Sequence, residues 1–170
     1  IGRVLLNAFN AWEYGWECNR EDLKANSTKI FDSYLKNGFT EAGFFKESVN
    51  FDKNSEDPVH SIRRQSEGLY AIFHFLAYEK EKGRKHPEWE QRLKKMLDMF
   101  LQLQNADGSF PRKFRDDFTI VDKSGGSTPS ATLPLVMGYK YFKDKRYLDS
   151  AKRAADYLEK ELISKADYFS

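Results

Sequence analysis

The chain has a single cysteine, Cys18, among its 170 residues, so no internal disulfide can form. It has three histidines and no Cys-x-x-Cys pair or His/Cys cluster, the spacings that hold structural zinc. No metal and no cofactor are therefore expected. An excess of one charge is also missing: 28 basic side chains stand against 26 acidic ones, which excludes the broad basic footprint that holds nucleic acid or an anionic membrane. The longest apolar run, Leu69 to Tyr78, is interrupted by His74 and is well short of the ~20 residues needed to cross a bilayer. No membrane association is expected. The chain opens at Ile1 without an initiator Met and without the basic, apolar and small-residue pattern of a signal peptide, as a piece of a longer gene product would.

What the sequence does contain is helical periodicity of two kinds. From His86 to Gln104, the residues Trp89, Leu93, Met96, Leu97, Phe100 and Leu101 share one face, and Glu90, Arg92, Lys94, Lys95 and Asp98 lie elsewhere. Pro87 suits the first turn, and Glu88 and Glu90 complement the positive end of the helix dipole. The same form recurs at Leu23, Ser27, Ile30, Phe31 and Tyr34, with Asn19 as the expected cap, and at Tyr147, Leu148, Ala151, Ala155, Leu158 and Leu162. Between these helices lie Gly68 to Tyr78 and Leu133 to Phe142, which are apolar nearly all round and must be covered on every side. The first runs on into Glu79, Lys80, Glu81 and Lys82 before Gly83, a helical ending. Val4 to Tyr14 reads as a third buried helix. Pro134 is the dissenting residue, expected to kink the last buried helix or delay its start.

These segments form an internal repeat. Lys36 to Phe45 aligns with Gln104 to Phe110, and Gly43 to Gly108 is 65 residues, against 64 from Leu69 to Leu133. The expected domain is one all-α unit over 1–170. It is built of three antiparallel hairpins, about 1–37, 61–104 and 128–164, with buried inner and amphipathic outer helices. Links from inner to outer helices are short, whereas those from outer to inner helices, 38–60 and 105–127, are long. Loops that long in a compact domain are functional or disordered. Phe39, Phe44, Phe45, Phe51, Phe110, Phe114 and Phe118 argue for order, so both loops should dress one rim, where the inner helices start and free N–H groups gather.

The turn Gln104-Asn105-Ala106-Asp107-Gly108-Ser109-Phe110, closing an outer helix, resembles the turns of α/α toroids. Arg64-Gln65-Ser66-Glu67-Gly68-Leu69-Tyr70, opening an apolar inner helix, resembles bacterial six-hairpin carbohydrate enzymes. The resemblance implies part of a ring, about half of it, and a glycoside hydrolase acting on a polysaccharide or oligosaccharide. Its partners would be that substrate and either the rest of the toroid or a second copy. A polysaccharide-degrading parent would work in the periplasm or outside the cell. Two other readings stay open, a non-catalytic helical-repeat module that binds glycan or protein and an isoprenoid-type toroid enzyme. The Asp-rich motifs of the latter are missing.

Glycoside hydrolysis needs two carboxyl groups, one acid and one base or nucleophile. Glu67 is the candidate catalytic carboxylate, in the first turns of an inner helix beside Arg63 and Arg64. Its bland alternative is a dipole-stabilising Glu or an ion pair with Arg. Arg112, Arg115, Asp116 and Asp117, interleaved with phenylalanines, are candidate substrate contacts, as are Arg63, Arg64, His60 and Phe45. A solvated loop pinned by its aromatics is the competing reading. Asp107 reads as a turn residue and His74 as a core histidine bonded to backbone.

Overall fold

The computed structural model describes residues 2–50 and 52–165, so Phe51 of the loop phenylalanines lies outside it. Six helices follow one another: α1 (Gly2–Glu17), α2 (Glu21–Asn37), α3 (Ile62–Glu81), α4 (Pro87–Leu103), α5 (Thr128–Phe142) and α6 (Lys145–Tyr157). The chain then widens into a π-helical stretch, Leu158–Ile163. Helix α3 lies between α1 and α5, and α2, α4 and α6 pack outside this inner row. The outer α4 shows how patterning becomes packing. Its first turn takes Pro87 at no hydrogen-bonding loss. Its stripe of Trp89, Leu93, Met96, Leu97, Phe100 and Leu103 is buried, each side chain stabilising the fold by roughly 1.5–3 kcal/mol.

The 65-residue repeat returns as matched backbone hydrogen bonds. Thr40 N–H donates to Phe44 O at 2.8 Å and Gly43 N–H to Thr40 O at 3.1 Å; Asn105 N–H donates to Ser109 O at 2.9 Å and Gly108 N–H to Asn105 O at 3.0 Å. Gly43 and Gly108 both sit at positive φ, +110° and +91°. Each turn delivers a fully buried phenylalanine, Phe45 or Phe110, whose backbone N–H is taken by the following inner helix, through Gln65 Oε1 at 2.8 Å or Thr128 Oγ1 at 2.9 Å.

Several local expectations are corrected. Asn19 does not cap α2; it adopts φ +53° in the turn, which Asn tolerates, and Arg20 takes the cap position without a side-chain bond. Pro134 does not delay α5, which starts six residues before it and runs through it while Ala131, Leu135 and Gly138 are buried. Thr128 begins α5, and its hydroxyl accepts from Phe110 N–H. On α6 the buried face is Tyr147, Ser150, Ala151 and Ala154, leaving Ala155 exposed. The turn after α4 causes this shift, because Gln104 Oε1 accepts from Ser150 Oγ at 2.7 Å and its Nε2 donates to Ser150 O at 2.9 Å. His74 is partly buried and packs its ring on Phe9 and Tyr70. The inner helices are not covered on every side: Leu133 of α5 is 50% exposed and Val4 of α1 45%.

Both long loops contain short strands that no alternation announces. In the first, β1 (Val49–Asn50) pairs with β2 (Ser55–Glu56). The strands β3 (His60–Ser61), β4 (Lys113–Phe114) and β5 (Ile120–Asp122) form one antiparallel sheet in that order, so the two loops are sewn together.

Candidate functional site

The β3–β4 pairing sets Ser61 opposite Lys113 and His60 opposite Phe114, and Ile62 N–H donates to Arg112 O at 3.2 Å. Residues some fifty positions apart in the chain thereby meet at the start of α3. Around them opens a cleft of about 680 Å³ whose charged lining is Arg63, Arg64, Arg112, Lys113, Glu47 and Asp57, with Ser61 and Ser127 as neutral donors. Both long loops contribute.

Glu47 organises the cleft floor, and sequence reasoning missed it. Its side chain is 1% exposed. Oε1 accepts from Ser61 N–H at 2.7 Å and from Gln65 Nε2 at 3.0 Å, and Oε2 from Arg64 Nη1 at 3.2 Å. A carboxylate from the loop thus anchors the residue heading α3, a job that local capping would give to a neighbour in sequence. Gln65, also buried, clasps both backbone groups of Phe45, its Nε2 donating to Phe45 O at 2.8 Å. Nothing in the sequence around Glu47 marks it, since its partners are 14 to 18 positions away.

The expected site residues divide. Arg63, Arg64 and Arg112 line the cleft. His60 lines it too, but its ring is 1% exposed and packed between Phe44 and Phe114, at 5.1 and 5.5 Å. There it acts as a strut. Its Nε2 shares a 2.7 Å hydrogen bond with Asp116 Oδ1, which also accepts from Thr40 Oγ1 at 2.9 Å, while His60 Nδ1 is buried with no partner. Phe45 is fully buried, stacked on Phe39 at 4.7 Å and pressed on Gly68, so neither face of its ring is open to a ligand. Arg115, Asp116 and Asp117 belong to the turn between β4 and β5, outside the cleft lining. Arg115 N–H donates to Thr119 O, and Thr119 N–H to Asp117 Oδ1 at 2.9 Å. The Thr119 N–H and hydroxyl hold the Asp117 carboxyl below its ordinary value.

Glu67 lies round the side of α3, in a smaller groove of about 250 Å³ between α3 and α5, with Tyr70, Ser66, Ser130 and Leu133. It is 43% exposed, and Arg63 Nε stands 3.7 Å from its Oε1. Arg63 lines the cleft and Glu67 the groove, so this loose pair joins the two cavities. Asp107 holds its own turn, accepting from Ser109 N–H at 2.9 Å and Ser109 Oγ at 2.7 Å. Among the described residues no His, Cys, Asp and Glu side chains gather as a metal site, and no helix is long and apolar enough to cross a membrane.

Alternating inner and outer helices, with the long connections on one rim, define part of an α/α toroid. Three solved structures share the fold. The cellobiose 2-epimerase of Bacillus thermoamylovorans B4167 superposes with a TM-score of 0.76 at 20% identity, over 93% of this chain and 40% of its own. The cellobiose 2-epimerase of Spirochaeta thermophila DSM 6192 gives 0.72 at 15% identity, over 95% and 40%. A sugar epimerase from a ruminal bacterium gives 0.67 at 17%, over 94% and 41%. The chain therefore spans about two fifths of these toroids. No protein-family profile matches it.

Proposed function

We propose that this chain is the saccharide-binding part of a carbohydrate-active toroid enzyme, with the sugar lying along the long-loop rim from the cleft to the groove. The observation that carries the reading is the junction at Arg63. A donor-rich cleft and a groove with an exposed carboxylate and a tyrosine meet there, on a fold shared with sugar epimerases. Sugar sites combine such donors, carboxylates and aromatic rings.

For the chemistry, Glu67 is the acid/base carboxylate of a glycoside hydrolase, and its second carboxyl group would come from the rest of the ring. Epimerisation is the second reading, favoured by the names of the solved neighbours. Turnover of oligosaccharides in D₂O by the protein carrying its complete ring separates the two. Hydrolysis creates one new reducing end per bond cut. Inversion beside a sugar carbonyl by proton removal and return leaves deuterium at that carbon and no new ends. Glu67→Gln should lower turnover by about 10²–10⁴-fold, the usual worth of a positioned acid or base. Unchanged turnover in that variant removes Glu67 from the chemistry, and saccharide binding without turnover makes the protein a binding module.

A further inference from the structure

The whole chain is nearly neutral, yet its rim cleft is not evenly furnished. Four cations line it, Arg63, Arg64, Arg112 and Lys113, against two carboxylates, Glu47 and Asp57. Of the two, Glu47 is committed to the fold, whereas Asp57 is exposed and uses one oxygen in its own turn. Both oxygens of Glu47 accept hydrogen bonds from α3 and its head, and its side chain is 1% exposed; Asp57 Oδ1 accepts from Val59 N–H at 3.0 Å.

The cations are largely uncommitted. A guanidinium carries five N–H donors. Arg64 gives one nitrogen to Glu47 at 3.2 Å and remains 53% exposed, and Arg112 gives Nη1 to Asp122 at 3.1 Å and remains 44% exposed. Arg63 is 63% exposed, with Glu67 only at 3.7 Å. Lys113 is exposed and has no ion-pair partner among the described residues. The buried, unpartnered Nδ1 of His60 stands in the same wall.

A neutral sugar offers hydroxyls, each an uncharged donor and acceptor. A carboxylate or sulfate offers two or three acceptor oxygens with charge, which paired guanidinium N–H groups match bidentately. We infer that the cleft takes an acidic saccharide, one bearing a uronate carboxylate or a sulfate ester, with Arg112, Lys113 and Arg63 contacting the anionic group. This inference rests on the saccharide reading above and narrows it to a substrate class.

The test is calorimetric binding to the complete-ring protein of three trisaccharides, a galacturonate, a sulfated galactose and neutral cellotriose, at low and high salt. An acidic trisaccharide should bind at least about tenfold tighter than the neutral one, and salt should weaken that advantage. Arg112→Gln and Lys113→Gln should each reduce the ratio of acidic to neutral affinity; both side chains are exposed, so two variants guard against misfolding of one. Whichever acidic sugar binds more tightly identifies the anionic group. Equal binding of cellotriose, or a preference that survives both substitutions, overturns the inference and leaves the saccharide reading standing. Binding of none of the three, nor of any longer neutral glycan, overturns both.

Discussion

Glu79, near the C-terminal end of α3, is buried at the rim opposite the cleft and holds the first two hairpins together. Trp12 Nε1 of α1 donates to Oε1 at 2.8 Å, Arg84 donates to both oxygens at 2.5 and 2.9 Å, and His86 Nε2 lies 2.8 Å from Oε2. Burial pushes the Glu79 carboxyl up, but the bonds from His86, Arg84 and Trp12 outweigh it and hold the group at about 2. With the folded value depressed, this stabilisation is complete above the ordinary value of 4.5 and is lost as pH falls from there towards 2. Glu79→Gln should flatten the pH dependence of the unfolding free energy over that window, and parallel curves for the two proteins would refute it. Breaking a buried ion pair typically costs about 3–5 kcal/mol; here Arg84 and His86 keep 32% and 31% exposure and water takes over part of their solvation, so about 2 kcal/mol is expected at neutral pH. Gln65→Ala belongs to the same scale. It strips partners from the buried N–H and C=O of Phe45 and from Glu47, and urea unfolding should register a loss of about 2–3 kcal/mol.

Turns and close contacts decide how the elements join. Gly83, in the short link from α3 to α4, has φ +77° and nothing within 4 Å of an added Cβ. Gly83→Ala should therefore cost only left-handed backbone strain, about 1 kcal/mol. Gly108, at φ +91°, would place a Cβ 2.2 Å from Arg153 O on α6, so Gly108→Ala should be clearly the more destabilising of the two in urea. A reversed order would mean that the turn after α4 does not dock on α6 as described. At this scale much was legible in the sequence. The helix periodicities, the 65-residue spacing and the Gly turns arise from neighbours within a few residues, so they leave a local signature. Asn19 departs from its expected cap role because local propensity is a weak prior, overridden in the α1–α2 turn by the left-handed conformation Asn tolerates.

On the scale of the molecule, the row of inner helices ends abruptly on both sides. Val4 on α1 and Leu133 on α5 expose apolar surface there, and this chain matches about two fifths of each solved toroid. The isolated 170-residue chain should self-associate as its concentration rises, and Leu133→Glu should reduce that association. Sedimentation showing a monomer at every concentration would sink this prediction. Both loops that line the cleft lie within these 170 residues.

The sequence alone determined the helices, their inner or outer character, the repeat and the rim that bears the long loops, because each follows from residue spacing along a helix or within a turn. Tertiary structure alone decided how the candidate site is assembled. The β3–β4 pairing brings Arg112 and Lys113 to Arg63 and Arg64, Glu47 becomes an anchor for α3 and His60 a buried strut, Phe45 is withdrawn into the core, and Glu67 is placed in a separate groove. Two-residue strands carry no periodicity, and whether a loop side chain is buried depends on a neighbour many positions away. Both were therefore invisible until the chain was folded.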